Sequence, residues 1–210
     1  MADKTSTSGS EAPSRKLRVG VLALQGDYEA HAARLSELGA DAQLVRLPGE
    51  LAGLDGLVIP GGESTTFLKF LERDGFLGLL KQFTATKPSF GTCAGCILLA
   101  KDVRNPAQES LEAMDIAVER NAYGRQNDST VLTAETSLPG GPLEMVFIRA
   151  PRIVRTGEGV EVLAERDGFA TLVRERNLLA ATFHPELSSD SRVHSYFLRM
   201  VRDEVSDAAA

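Results

Sequence analysis

Both cysteines of this 210-residue chain fall in one hexapeptide, Gly91-Thr92-Cys93-Ala94-Gly95-Cys96. Their Cys-x-x-Cys spacing admits several chemistries. A thioredoxin-like dithiol begins a helix after a strand, and these two residues satisfy that spacing. Zinc needs more ligands than one Cys-x-x-Cys and three histidines readily supply. Two core cysteines without chemistry are a further reading. The Gly-x-Cys-x-Gly frame adds another, a nucleophile on a tight strand-to-helix turn. There the flanking glycines let the two backbones approach, and the N–H of the next residue, Ala94, can hold an oxyanion.

A thiol nucleophile needs a base, and the base an orienting group. Ala-Thr-Phe-His-Pro-Glu-Leu, residues 181–187, offers both. In an extended segment His184 and Glu186 project to the same side, so Glu186 can accept from Nδ1 of His184 while the other ring nitrogen faces Cys93. His31 and His194 lie within helical patterns and are read as solvated or partner-facing. A third group, Pro60-Gly61-Gly62-Glu63-Ser64, ends an apolar run. Free N–H groups at Gly61 or Gly62 can provide a second oxyanion donor, and the stretch lacks the Gly-Lys-Ser/Thr of a phosphate loop.

Composition narrows the setting. An apolar fraction of 43% and a charged fraction of 25% are those of a globular domain with a real core. A formal net charge of -6 argues against a nucleic-acid surface. The chain has no apolar run of membrane-spanning length and no signal-peptide h-region, which predicts a cytoplasmic protein without a membrane partner. Two cysteines so close together cannot staple a secreted fold.

The elements that must position these groups read as one α/β domain. Residues 1–16 are expected to be a disordered tail, 17–205 the domain, and 206–210 a frayed end. Residues 17–24 form a strand feeding a helix capped near Asp27 and stopped near Gly39. Two further strands follow, the second ending at Pro60. Ser64 is a candidate cap for the next helix, which Gly75 breaks, and a strand, the cysteine turn and a buried helix come next. From about 104 to 175 the alternation predicts several antiparallel strands. The chain closes on an amphipathic helix with Val193, Phe197, Met200, Val201 and Val205 on one face. The expected architecture is a three-layer, flavodoxin-like sandwich around a mostly parallel sheet with antiparallel additions.

Taken in order, Leu-Ala-Leu-Gln-Gly-Asp-Tyr-Glu-Ala-His (22–31), Ile-Pro-Gly-Gly-Glu-Ser-Thr-Thr (59–66), Phe-Gly-Thr-Cys-Ala-Gly (90–95), Val-Glu-Arg-Asn-Ala-Tyr-Gly-Arg-Gln (118–126), Phe-Ile-Arg-Ala-Pro (147–151) and Phe-His-Pro-Glu-Leu (183–187) closely resemble the glutaminase subunits of pyridoxal 5′-phosphate synthase. Gly-x-Cys-x-Gly with a later His-x-Glu marks class I (triad) glutamine amidotransferases in general. The second, fourth and fifth stretches are particular to this subunit. The resemblance covers residues 18–203.

It implies hydrolysis of L-glutamine to glutamate and ammonia, with the ammonia passed to a synthase subunit that builds the B6 cofactor. It assigns Cys93 as nucleophile, His184 as general base and acid, and Glu186 as its orienter. Gly62, Glu63, Ser64, Arg120, Ile148 and Arg149 match glutamine-contacting positions, and Gln25 matches a residue that helps complete the oxyanion site. Neither a metal nor a cofactor is implied. The resemblance also implies activation by docking to the synthase, and the helix after Asp27 is expected to face that partner. Alternatives are the glutaminase of another amidotransferase, such as imidazole glycerol phosphate synthase, or a Cys-x-x-Cys oxidoreductase. Cys96 departs from the family's usual aliphatic residue.

Overall fold

Alternating side chains along five short parallel strands set the two faces of the central sheet. The computed structural model describes residues 15–72, 75–120 and 129–208. The tail residues 1–14, motif residues 121–126 and the terminal 209–210 lie outside these. A seven-stranded sheet carries the order β10-β11-β12-β4-β3-β1-β2. It is built from β1 (Arg18–Leu22), β2 (Asp41–Val45), β3 (Gly56–Ile59), β4 (Ser89–Thr92), β10 (Glu161–Arg166), β11 (Phe169–Glu175) and β12 (Leu178–Ala181). Pairing is parallel from β2 through β1, β3 and β4 to β12, and antiparallel from β12 to β11 and β10. This is the doubly wound arrangement with antiparallel additions at one edge.

Val19, Val21, Val58, Phe90, Leu179 and Ala181 point to one face. There they pack against Leu35 of α1 (Tyr28–Glu37) and Val193, Phe197 and Val201 of α5 (Arg192–Asp207). Their neighbours Leu22, Leu57, Ile59 and Ala180 point to the other face. That face receives α2 (Ser64–Leu71), α3 (Phe76–Thr86) and α4 (Ala94–Leu99). A side chain as large as Phe90 or Phe197, fully buried, contributes about 1.5–3 kcal/mol by leaving water.

The stretch read as antiparallel contains β5 (Ala100–Arg104), β6 (Met114–Glu119), β7 (Thr130–Ala134), β8 (Leu143–Phe147) and β9 (Arg152–Thr156). β6 pairs antiparallel with β9 and β7 with β8, but β5 and β6 run parallel.

Local details differ from the sequence expectation at the ends of elements. Glu63, not Ser64, caps α2, because its longer carboxylate reaches the N–H groups of Thr65 at 3.2 Å and Thr66 at 2.8 Å. Ser64 lies inside the first turn, and its hydroxyl donates to Gln108 Oε1 at 2.9 Å. Asp27 occupies the cap position of α1 without a side-chain hydrogen bond. Arg15, assigned above to the tail, forms a two-pronged ion pair with Asp55 at 2.6 and 2.7 Å. The last helix runs on to Asp207.

His31 and His194 are the clearest correction. Neither is solvated or partner-facing, since both are fully buried. His31 shares the inward face of α1 with Leu35, one turn on, and His194 faces it from α5.

Candidate active site

Parallel strands all deliver their carboxyl ends to the same edge of a sheet, which is where open α/β folds bind ligands. Four adjacent strands use that edge here. β1 leads to Gln25, β3 to Gly61 and Gly62, β4 to Cys93, and β12 to His184.

The β4–α4 turn is tight because of its glycines. A β-carbon on Gly95 would meet the Ile59 carbonyl oxygen at 2.0 Å, and one on Gly91 would meet the Gly95 carbonyl at 2.5 Å. Cys93 between them adopts φ 48° and ψ -103°, a conformation that costs a non-glycine residue energy and that functional turns retain. Its own N–H is held by the Ala181 carbonyl at 2.8 Å, which ties the turn to β12. Ala94 opens α4, so its N–H has no intrahelical acceptor. Cys96 is fully buried among Ile97, Leu98 and Leu99, and burial together with the neighbouring Cys93 pushes its thiol pKa up. Both cysteines are free.

His184 is fixed from two sides. Its N–H donates to the Val146 carbonyl at 2.8 Å, and its Nδ1 lies 2.8 Å from Glu186 Oε1. Since an ionised carboxylate only accepts, Nδ1 carries the proton and Nε2 is left for Cys93. Burial works against the imidazolium. Hydrogen bonds to Cys93 and Glu186 prevail and raise its pKa from 6.5 to about 10. Glu186 is itself buried, which disfavours its charge. Even so His31 and His184 together hold its pKa below the ordinary carboxylate range.

A cavity of about 320 Å³ opens over this pair. Gly62, Glu63, Ser64, Cys93, Arg120, Ile148, Arg149 and His184 all line it. Arg120 lies 3.4 Å from Glu63 through Nη2, while its buried Nη1 has no partner among the described residues. Glu63 keeps its charge down to about pH 2, because partial burial is outweighed by hydrogen bonds from Thr65 and Thr66. Arg149 is exposed and adopts φ 44° in the turn that follows β8.

Four of the residues singled out from sequence as triad, oxyanion or glutamine-contacting groups do not line the cavity, among them Gly61, buried against His184. Glu186 stands behind His184, Ala94 is buried in α4, and Gln25 lies beside Gly62 with its amide donating to the Glu63 carbonyl. Conversely, Gly26, Asp27 and Ile97 line it without having been singled out. Gly26 and Asp27 lie in the same motif stretch as Gln25, and Ile97 adjoins Cys96. Asp27, His184 and Glu186 bring ligand-type atoms within 4.8 Å of one another. Nδ1 of His184 and both oxygens of Glu186 already face imidazole or carboxylate partners, so this trio is a hydrogen-bonded network and a poor chelate.

Residues 21–203 match the SNO glutamine amidotransferase family. The chain is 63% identical over 187 residues to a pyridoxal 5′-phosphate synthase subunit PdxT from Koribacter versatilis, covering 89% of this chain and 97% of that one. It is 50% identical over 188 residues to the PdxT subunit of Thermotoga maritima, covering 89% of this chain and 100% of the other. Among solved structures, one described as a glutamine amidotransferase superposes with a TM-score of 0.81 at 45% identity, covering 87% of this chain and 98% of that chain. A putative GMP synthase component from Thermoplasma acidophilum shares the fold, with a TM-score of 0.71 at 17% identity over 93% of this chain and 99% of that chain.

Proposed function

Because the chain belongs to the SNO glutamine amidotransferase family, we propose that it is the glutaminase subunit of a pyridoxal 5′-phosphate synthase, hydrolysing L-glutamine and handing ammonia to a synthase subunit. The relatives named for that synthase support the reading over 89% of the chain. The observation that carries it is the cavity in which Cys93 and His184 face Glu63, Ser64, Arg120 and Arg149.

In this reading Cys93 thiolate attacks the side-chain amide carbon, with protonated His184 as its counter-ion. The N–H groups of Ala94 and Gly62 receive the developing oxyanion, and Gln25 lies against Gly62. His184 then gives its proton to departing ammonia, leaving a γ-glutamyl thioester on Cys93. Water, deprotonated by the same imidazole, releases glutamate. Glu186 keeps His184 in the required tautomer. The partnerless Nη1 of Arg120 suits the substrate's α-carboxylate, and Arg149, Ile148 and the Gly62–Ser64 backbone complete the glutamine pocket.

A cytoplasmic location belongs to this reading, as does the absence of nucleic-acid and membrane partners. Among the described residues no helix is long and apolar enough to cross a membrane.

The test is glutamate release from glutamine by the purified protein, alone and with a synthase subunit, with Cys93→Ala as control. Turnover that requires Cys93 and rises with the synthase is expected. No turnover in either setting, or stimulation by an imidazole glycerol phosphate cyclase instead, would overturn it.

A further inference from the structure

A triad carboxylate has two oxygens, and only one of them is engaged with His184. Glu186 Oε1 takes Nδ1 of His184, while Oε2 is buried without an aligned hydrogen bond among the described residues. Facing Oε2 at 3.2 Å is Nε2 of His31, which comes from α1 and is wholly inside the protein. The same nitrogen lies 3.2 Å from Oγ1 of Thr92, the residue before Cys93. On its other side, Nδ1 of His31 is 2.9 Å from Nε2 of His194 on α5.

Glu186 is an acceptor on both oxygens, so Nε2 of His31 carries a proton toward it. One further proton joins Nδ1 of His31 to Nε2 of His194, whose Nδ1 is buried without a partner among the described residues. Burial, His31 and Arg34 push the pKa of His194 down to about 3, although Glu186 opposes them, so His194 stays neutral.

Packing alone does not account for this arrangement. His31 and His194 sit edge-on to Phe90 with centroids 6.2 and 5.9 Å away, against a core layer of Val, Leu, Phe, Ala and Met. Two imidazoles desolvated there cost free energy that apolar residues would not.

We propose that His31 is a positioning residue for the glutaminase reaction, holding the second oxygen of Glu186 and the Thr92 hydroxyl so that the triad carboxylate and the nucleophile turn keep a fixed relation. The inference rests on the reading of Cys93, His184 and Glu186 as the triad. It joins three elements: α1, the end of β4 and the segment after β12. His31 touches no substrate atom in this account, so its loss slows the chemistry and leaves glutamine binding almost intact.

The charged and titratable groups around Glu186 are His184 on its own segment, Asp27 before α1, His31 on α1, and, behind His31, His194 on α5 with Arg34 nearby. Cys93 lies across His184. Removing His31 takes away the donor facing Oε2, which makes Glu186 easier to protonate.

The experiment compares His31→Phe, His31→Gln and His31→Asn in the complex with the synthase subunit, measuring glutamate release against pH. The Gln amide reaches as far as Nε2 and can still donate to Glu186, whereas the Asn amide reaches only the His194 side. His31→Phe and His31→Asn should lose on the order of 10- to 100-fold in kcat, with KM for glutamine within about twofold. The acid limb of their profiles should move toward neutral pH, and His31→Gln should recover most of the rate and the original limb. Wild-type kcat and an unmoved limb in His31→Asn, or equal losses in Gln and Asn with the limb unmoved, overturns the proposal. The Gln and Asn pair keeps the test intact if the Phe variant fails to fold. Failure of the glutaminase reading itself is distinguishable, because wild type and Cys93→Ala would then release equally little glutamate.

Discussion

Gly61 stands against His184 so closely that a β-carbon there would lie 2.5 Å from the imidazole Cε1, and 3.4 Å from Cys93 Cβ. The glycine loop after β3 thus leaves the room in which nucleophile and base face each other. Gly61 is absent from the residues with positive φ, so Gly61→Ala is a steric change with no backbone strain. The methyl group must push the His184 ring off its line. Misplacement of a reacting group by about 1 Å costs on the order of 100-fold in rate. Gly61→Ala should therefore lower kcat by about that factor while the far-ultraviolet dichroism stays that of the wild type. A variant within twofold of wild-type turnover would show that the ring has room to move.

The two cysteines should separate cleanly. Cys93→Ser is expected to abolish glutamate release and Cys96→Ser to retain it. Cys96→Ser places a hydroxyl in the apolar layer beside α4 and should lower unfolding free energy by about 1–3 kcal/mol. Iodoacetamide followed by peptide mass mapping should modify Cys93 and spare Cys96. Loss of turnover in Cys96→Ser with the fold intact would revive the dithiol chemistry that the spacing allows.

The parallel strands and the cysteine turn were legible because each rests on local pattern: apolar runs of strand length, and glycines where backbones must touch. The pairing of His184 with Glu186 was expected from an extended segment, but Pro185–Leu187 is a turn of 3-10 helix, closed by the Leu187 N–H on the His184 carbonyl, and it is this turn that brings the carboxylate to Nδ1. The inward placement of His31 was not legible. Helical periodicity places residue 31 beside Leu35, but a histidine on an inward stripe looks like an exposed residue until its partners are known. Those partners, Thr92, Glu186 and His194, come from three distant segments. The cap of α2 was missed for a smaller reason. A glutamate reaching Thr65 and Thr66 does the work usually credited to serine.

pH should report the buried pair through stability as well as rate. The folded protein binds the His184 proton up to about pH 10, against 6.5 for the unfolded chain. A raised folded pKa contributes stability that is full below 6.5 and is lost as pH rises toward 10. Glu186, depressed below 4.5, contributes stability that is present above that value and lost as pH falls beneath it. Urea unfolding of wild type and His184→Gln should show a stability difference that moves against the wild type between pH 6.5 and 10. A difference that stays constant across that range would mean that His184 does not hold its proton there.

Arg120 offers a test of substrate orientation apart from chemistry. Its Nη1 has no partner among the described residues, while Nη2 leans on Glu63. If that free edge receives the α-carboxylate, Arg120→Ala should raise KM for glutamine by roughly 10- to 100-fold, the worth of a charge-assisted hydrogen bond. Its kcat should fall far less. Arg120→Lys keeps the charge without the planar fork and should recover only part of the affinity. Steady-state kinetics of the three proteins decides it, and unchanged KM in Arg120→Ala would remove the arginine from the pocket's role.

Gln25 connects the pocket to α1, whose outer residue Glu29 is exposed. Its amide donates to the Glu63 carbonyl and packs against Gly62, where φ is 138°. In this arrangement the amide is committed to the backbone and is not free for an oxyanion. A partner gripping α1 can change that, since Gly26 and Asp27 join Gln25 to the helix and themselves line the cavity. Gln25→Ala should then leave the rate of the isolated protein within about twofold, yet reduce the synthase-stimulated rate by about tenfold or more, the scale of one oxyanion donor. Glu29→Lys should weaken complex formation in sedimentation experiments without altering the rate of the isolated protein. Equal proportional losses in Gln25→Ala with and without the synthase would assign Gln25 to shaping the Gly62 turn alone, with no part in the response to the partner.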